Sequence, residues 1–132
     1  YAGKKGVMLG MENHDYVKDI NRFMKIINKV DSKWFGVIWD SANLAPTPDP
    51  YKELQRIAPY AATAQIKTVI KVNGKKEPAD FDRLLNILKN ADYSGKITLE
   101  YEEEEDPKSA IPRYLGILRS AIKRVGYDLP TR

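Results

Sequence analysis

Apolar residues recur along the chain at two spacings, which together predict strands alternating with helices. Short apolar runs of strand length lie at residues 7–11, 35–39, 61–72 and 96–101. Elsewhere apolar residues recur every three or four positions, which is typical of a helix that buries one face. The predicted helices span residues 15–30, 50–57, 80–91 and 107–125. Each predicted strand is therefore followed by a predicted helix.

Residues that favour helix ends and turns stand at the boundaries of these elements. Asp15 is the predicted N-cap of the first helix. Asp49 and Asp106 are each followed by proline, which combines an N-cap with the residue favoured at the first helical position. Gly126 is placed to end the last helix. Asn73 and the glycine after it predict a turn that closes an irregular extension of the third strand.

The order βαβαβαβα predicts an α/β fold with a parallel sheet and right-handed crossovers. We treat residues 1–132 as a single domain. Four βα units are half of a TIM (β/α)8 barrel, which typically needs about 250 residues. Half a barrel has unpaired sheet edges and an uncovered inner face. We therefore expect a missing N-terminal half barrel, or a second copy of the chain in a homodimer, to cover them.

The amino-acid composition excludes several kinds of site and of binding partner. The 22 Lys and Arg residues are scattered among 18 Asp and Glu residues, so the net charge of +4 does not predict a nucleic-acid groove. The absence of cysteine excludes disulfides, thiolate zinc sites and a cysteine nucleophile. No apolar run approaches the roughly 20 residues that span a bilayer, and no signal peptide is visible, so no membrane partner is expected. The chain begins at Tyr1 without an initiator methionine, which leaves its localisation open.

Three of the predicted strands deliver a carboxylate at or near their C-terminal ends. These carboxylates are Glu12, Asp40 and Glu100, and the third strand carries the amide of Gln65. Parallel sheets place their ligands at this edge, so we expect the four side chains to converge. Carboxylate and amide oxygens suit a divalent ion such as Mn²⁺ or Mg²⁺. Such an ion can polarise a sugar carbonyl and hold an ene-diolate while a carboxylate moves the proton.

Four stretches of the chain carry a resemblance to a known family. They are GVMLGMENH (6–14), FGVIWDSANL (35–44), DPYKELQRIAPYAATAQIKT (49–68) and GKITLEYEEEED (95–106). In order and spacing they resemble the C-terminal half of the sugar phosphate isomerase/epimerase family, the xylose isomerase-like TIM barrels. The resemblance covers nearly the whole chain and implies a metal-dependent isomerase or epimerase that acts on a sugar or sugar phosphate.

The resemblance also implies roles for the residues at the strand ends. Glu12, Asp40 and Glu100 take the positions of the family's acidic metal ligands, and Gln65 stands where the family has a histidine. In the family's epimerases the two glutamates also act as acid and base on opposite faces of the substrate, so Glu12 and Glu100 are the predicted catalytic residues. Gln65 ligates more weakly than imidazole, so Mn²⁺ or Mg²⁺ is expected, with Co²⁺ or Zn²⁺ as alternatives.

Three further residues match positions that contact substrate in the family. His14 and Lys67 occupy two of them, and Asn43 stands where many members have a histidine. The resemblance therefore implies that these side chains bind a small-molecule sugar. Lys67 lies two residues after Gln65, so both side chains are expected on the same side of the third strand.

Each candidate also has a simpler structural interpretation. Asp40 could cap the turn that follows its strand, and Glu12 could cap a helix that begins near Asp15. His14 could be an exposed histidine with no role. Lys67 could pair with a structural acid. Glu100 could belong to the acidic run that continues at residues 102–105, which we interpret as a solvated loop without ligand function.

The sequence is also compatible with two other functions. The chain could be a non-catalytic sugar-binding or assembly module built on half a barrel, because the third strand lacks the histidine. A metal hydrolase that resembles endonuclease IV shares the barrel, but its multi-zinc site needs several histidines and this chain has one. The isomerase or epimerase hypothesis ranks first because it accounts for all three carboxylates.

Overall fold

The computed structural model describes residues 1–127 of the chain. The strands are β1 (Leu9–Glu12), β2 (Phe35–Asp40), β3 (Ala61–Lys67), β4 (Val69–Val72), β5 (Lys75–Pro78) and β6 (Ile97–Glu100). The α-helices are α1 (Ile20–Val30), α2 (Pro50–Ile57), α3 (Phe81–Asn90) and α4 (Pro107–Arg124). Within the described residues, none of these helices combines the length and the apolar character needed to cross a lipid bilayer.

Four of the strands form one parallel sheet in which each strand lies beside the next one in the chain. The order is β1-β2-β3-β6, and a helix follows each of the four. Consecutive parallel strands joined by helices are the repeating unit of a TIM barrel. The structure therefore confirms the predicted α/β fold of four βα units, equivalent to half of a TIM barrel.

The core lies between the sheet and the helices that cover its outer face. Trp39 of β2 is fully buried, and its indole Nε1 donates a hydrogen bond to the Leu54 carbonyl of α2 at 3.0 Å. Phe23 of α1, Leu84 of α3 and Leu118 of α4 belong to the same buried cluster. Full burial of one such apolar side chain stabilises the fold by about 1.5–3 kcal/mol. The opposite, inner face of the sheet carries the polar residues described below.

The aspartates predicted to precede the later helices are confirmed as caps. Asp49 accepts from the Lys52 backbone N–H at 3.1 Å, and Asp106 accepts from that of Lys108 at 3.3 Å. Gly126 has a φ of 58° just beyond the end of α4, which is the left-handed conformation that glycine adopts easily.

The predicted start of the first helix is wrong by one turn. Asp19, not Asp15, is the N-cap, because its carboxylate accepts from the backbone N–H groups of Asn21 and Arg22 at 2.8 and 3.3 Å. Asp15 instead begins a short 3-10 turn and has a φ of 39°. Two aspartates four residues apart offer the same capping chemistry, and the first apolar residue of the buried face, Ile20, favours the later one.

The predicted third strand is wrong beyond its first half. The parallel strand ends at Lys67, and β4 turns away to pair antiparallel with β5. Asn73 and Gly74 join the two strands with φ values of 49° and 81°, the positive angles that a tight hairpin turn requires. The predicted turn is therefore confirmed, but the irregular extension before it is one arm of a hairpin.

Two smaller boundaries also differ from the prediction. The first strand begins at Leu9, whereas Val7 and Met8 precede it and are 55% and 49% exposed. On α4 the apolar spacing predicts a buried stripe of Ile111, Tyr114, Leu115, Leu118, Ile122 and Val125, but Ile111 is 38% exposed, while Ala110 beside it is fully buried. The buried face of α4 is thus rotated by one residue at its N-terminal end.

Candidate active site

The register of the sheet brings the predicted residues to one face and one edge. Asp40 lies opposite Gln65, and Lys67 lies opposite Glu100. Glu12 lies opposite the residue two positions before Asp40, so it faces the same side. The five side chains thus share the inner face at the carboxyl ends of the four strands, where TIM barrels carry their active sites.

Three buried oxygen atoms in this group have no hydrogen-bond partner among the described residues. They are Asp40 Oδ2, Gln65 Oε1 and Glu100 Oε2, and we call them the unpaired oxygens. Buried polar atoms are nearly always paired, and leaving one unpaired costs about 1–3 kcal/mol. Three such atoms on three neighbouring strands fit a bound cation or the hydroxyl groups of a polyol, both of which use oxygen lone pairs.

The ammonium group of Lys67 lies within the same group of acids. Its Nζ atom is 2.7 Å from Glu102 Oε2, 3.1 Å from Glu100 Oε1 and 3.6 Å from Asp40 Oδ2. The lysine side chain is only 6% exposed. One buried positive charge therefore faces three carboxylates, which leaves an excess of negative charge at the strand ends.

Burial and Lys67 shift the pKa values of the buried acids in opposite directions. Burial raises the pKa of Asp40 despite the Ala42 backbone N–H and the charge of Lys67. Burial likewise raises the pKa of Glu100, although Lys67 works against the shift. The hydrogen bond from Lys67 lowers the pKa of Glu102. Burial disfavours the lysine ammonium, but Glu102 and Asp40 outweigh it and raise the pKa of Lys67.

Asn13 fixes the loop that presents Asp40, and sequence reasoning missed it. Its buried side chain donates from Nδ2 to the carbonyls of Asp40 and Asn43 at 2.9 and 3.0 Å. Its Oδ1 accepts from the Asp40 backbone N–H at 2.9 Å. The only sequence signal is its position directly after Glu12 at a strand end, which does not distinguish it from a loop residue.

The two predicted residues Glu12 and Asn43 contact each other. Asn43 Nδ2 donates to Glu12 Oε1 at 3.0 Å, and the Asn43 backbone N–H donates to Asp40 Oδ1 at 2.8 Å. Asn43 therefore orients one predicted catalytic carboxylate and anchors a predicted metal ligand. Ser41 adds a link to the next strand, since its hydroxyl accepts from the Lys67 backbone N–H at 2.8 Å.

Within residues 1–127, no hydrogen bond or ion pair connects the His14 side chain to this group of side chains. Its side chain is 47% exposed, and its Nδ1 lies 2.9 Å from Asp15 Oδ2. The imidazole thus stands on the loop after β1, beside the edge of the site.

The acidic run at residues 102–105 is not the uniformly solvated loop that we predicted. Glu102 pairs with Lys67, Glu103 pairs with Lys76 at 2.9 Å, and Glu105 pairs with an arginine of α4. Glu102 is thus a second residue that sequence reasoning missed. In a run of four glutamates, no local pattern singles out the one whose carboxylate reaches a lysine on the neighbouring strand, 35 residues earlier in the chain.

The donor atoms at the strand ends fit the predicted divalent ion only in part. Within residues 1–127, no three His, Asp or Glu side chains are arranged so that they alone could hold a metal ion. Glu12 is bonded to Asn43, and Lys67 contacts both Asp40 and Glu100. The unpaired oxygens nevertheless offer two carboxylates and one amide, a donor set that fits a hard divalent ion by its chemistry.

One known protein family matches most of the chain. The family model described as the xylose isomerase-like TIM barrel matches residues 1–121. The chain belongs to the xylose isomerase-like TIM barrel family. The predicted family is thereby confirmed, and this family includes sugar isomerases and epimerases.

A solved structure shares the fold of this xylose isomerase-like chain. It is the crystal structure of a xylose isomerase domain protein from Planctomyces limnophilus, with a TM-score of 0.71 and 20% sequence identity. The match covers 96% of this chain and 51% of that one, so the chain spans about half the length of the solved protein. No curated protein matches the chain. At this identity the likeness shows the shared fold alone.

Proposed function

We propose that this chain supplies the C-terminal half of a metal-dependent isomerase or epimerase that acts on a sugar or sugar phosphate. The observation that carries the proposal is the set of unpaired oxygens on Asp40, Gln65 and Glu100. They lie at the strand ends of a fold whose family includes sugar isomerases and epimerases. Such oxygens can accept hydrogen bonds from polyol hydroxyl groups and can also coordinate a cation.

In this proposal Glu12, Asp40, Gln65 and Glu100 hold one divalent ion. The oxygen donors favour Mn²⁺ or Mg²⁺, with Co²⁺ or Zn²⁺ as alternatives. When bound, such an ion supplies a Lewis acid for the carbonyl oxygen of the substrate. Gln65 contributes a neutral donor, so most of the attraction for the ion comes from the carboxylates.

The same two glutamates are proposed to move the proton. A carboxyl group placed beside the reacting carbon can take a proton and return it. Glu12 and Glu100 stand on β1 and β6, the two outer strands of the sheet. A substrate bound between them would present one face to each, as an epimerisation requires. Asn43 orients Glu12 through its hydrogen bond.

Lys67, Asn43 and His14 are the proposed substrate contacts. Lys67 Nζ lies near three carboxylates at the floor of the site and has donors suited to a hydroxyl or an enolate oxygen. His14 stands on the exposed loop after β1, where an incoming sugar would pass. Asn43 stands between the catalytic acid and the Asp40 loop.

We further propose that an N-terminal half barrel, or a second copy of the chain, completes the site. In the described residues β1 and β6 each pair with one neighbour only, and Leu9 on β1 is 57% exposed. The chain also spans half the length of the similar solved structure. Unpaired strands of this kind are normally covered or closed into a barrel.

The test is metal binding and solvent exchange in the full-length protein. After removal of bound metal, titration calorimetry with Mn²⁺ should show one ion, and Glu100→Gln should weaken it at least about tenfold. Glu104→Gln, which removes an exposed acid from the loop that follows β6, is the matched control. Incubation with a panel of aldoses, ketoses and their phosphates in D₂O should incorporate deuterium next to the carbonyl. Absence of both Mn²⁺ binding and exchange would refute the proposal.

One observation favours a second candidate, a non-catalytic sugar-binding or assembly module. Across the described part of the chain, the acids alone do not form a metal-holding cluster. Such a module would bind a sugar through Lys67 and the unpaired oxygens without metal dependence. Sugar binding that EDTA leaves unchanged, without deuterium incorporation, would support this candidate instead.

A further inference from the structure

We propose that Glu102 is a positioning residue that holds the Lys67 ammonium aside and thereby keeps Asp40 Oδ2 available to a ligand. The inference rests on the proposed function in one respect, that the ligand is a divalent ion. Glu102 itself lies outside the group of four proposed metal ligands. Its role would be exerted through Lys67 and not by contact with metal or substrate.

The three contacts of the ammonium group are graded in length. Lys67 Nζ forms its shortest contact, a 2.7 Å hydrogen bond, with Glu102 Oε2. Its distances to Glu100 and Asp40 are 3.1 and 3.6 Å, and the last is too long for a hydrogen bond. The ammonium is thus drawn toward the acid at the rim and away from the most buried acid.

Exposure shows the direction of this pull. The Glu102 side chain is 59% exposed, whereas that of Asp40 is fully buried. Glu102 therefore reaches Lys67 from the solvent side of the site. Without its carboxylate, the freed N–H would face two carboxylate oxygens that have no hydrogen-bond partner among residues 1–127, Asp40 Oδ2 and Glu100 Oε2. Lys67 already contacts Glu100 through Oε1 at 3.1 Å, so the new contact open to it is Asp40 Oδ2 at 3.6 Å.

The loop that carries Glu102 is itself attached to the hairpin. Glu103 pairs with Lys76 of β5 at 2.9 Å, so the residue next to Glu102 is tied to the β4–β5 hairpin. This second ion pair is separate from the Lys67 contacts and restricts where the Glu102 carboxylate stands. The hairpin that replaces the end of the predicted third strand therefore contributes to the site through this loop.

The consequence is a choice between two occupants for the same oxygen. An ammonium bonded to Asp40 Oδ2 would use the lone pairs that a cation needs and would repel the cation directly. An ammonium held by Glu102 leaves that oxygen free and still balances part of the negative charge. Glu102 thus favours cation binding although it makes no contact with the cation.

The first test is a pair of crystal structures of the metal-free full-length protein, wild type and Glu102→Ala, a variant that removes the acceptor for Lys67 altogether. We expect the Lys67 Nζ to Asp40 Oδ2 distance to shorten in the variant to about 2.8 Å, the length of a charged hydrogen bond. Glu102 is exposed, so the variant should fold as the wild type does. A lysine that stays at its wild-type distance from Asp40 would overturn the proposal.

The second test is a double-mutant cycle on Mn²⁺ affinity. Glu102→Ala should weaken binding about tenfold in the wild-type background and less than about twofold in the Lys67→Met background, because Glu102 acts through the lysine. Glu104→Ala removes a charge from the same loop and should change affinity less than about twofold. An equal effect of Glu102→Ala in both backgrounds would show simple long-range attraction and overturn the proposal.

The two tests separate this inference from the proposed function. A wild-type protein that binds no Mn²⁺ would overturn the metal-dependent function, and the crystal structures would still decide whether Glu102 positions Lys67. Mn²⁺ binding with an unmoved lysine would leave the function in place and refute the role of Glu102.

Discussion

Replacing Asn13 with alanine should destabilise the fold, because it removes the hydrogen bonds that hold the loop after Asp40 in place. The Asn13 side chain is fully buried and makes three hydrogen bonds, two to carbonyls and one to the Asp40 backbone N–H. Alanine fills none of these roles. The Asp40 N–H and the carbonyls of Asp40 and Asn43 would then lie buried without their side-chain partner.

The expected cost is about 3 kcal/mol in the free energy of unfolding. Each lost hydrogen bond contributes about 1 kcal/mol, and an orphaned buried N–H costs about 1–3 kcal/mol by itself. A water molecule in the space left by the amide would restore part of the lost hydrogen bonding, so the cost should be no less than about 2 kcal/mol. Asn13→Asp keeps the acceptor but turns a carboxylate toward two carbonyl oxygens, so it should cost at least as much.

Urea unfolding followed by the fluorescence of the buried Trp39 would measure the change in the full-length protein. Asn86→Ala is the control, because Asn86 lies on the exposed face of α3 and should shift stability by less than about 0.5 kcal/mol. A loss below about 2 kcal/mol for Asn13→Ala would refute the reasoning, because it would fall below the limit that remains after a water molecule replaces the amide.

Two further predictions concern packing and alkaline stability. Gly36→Ala would place a Cβ 2.9 Å from the Ala62 Cβ on the next strand, so urea unfolding should show a loss of about 1–3 kcal/mol; unchanged stability would mean that the strands can separate. Burial raises the pKa of Tyr127 to about 12, so wild-type stability should fall between about pH 10 and 12 as only the unfolded chain ionises this tyrosine. Tyr127→Phe should lose less stability over that range, and an identical alkaline decline in both proteins would contradict the assignment.

The order of elements could be predicted from the sequence because each strand and helix is marked by its own local pattern. The apolar run that ends at Asp40 and the aspartate–proline pairs at two helix starts are signals that need no tertiary information. Parallel pairing then follows from the alternation of strands and helices. The convergence of Glu12, Asp40, Gln65 and Glu100 on one face depends only on which strand end each occupies.

The parts that could not be predicted depend on contacts between distant segments. The apolar residues of β4 read as a continuation of β3, and only pairing with β5 shows that they form a hairpin. Asn13 bonds to residues about thirty positions away, and Glu102 bonds to Lys67, which lies 35 positions before it. Side chains of this kind carry no periodic signal, because their role is set by what the fold places opposite them.

The amide at Gln65 and the position of Lys67 have a common electrostatic consequence for the proposed metal site. An amide is a weaker donor than imidazole, so a cation bound here would depend more heavily on Asp40 and Glu100. Lys67 contacts both of these carboxylates and so would oppose a cation that they attract. Glu102 makes the shortest of the three contacts to the lysine and would hold its charge at the rim. The affinity of the proposed site for a cation would thus be set as much by this ion pair as by the ligands themselves.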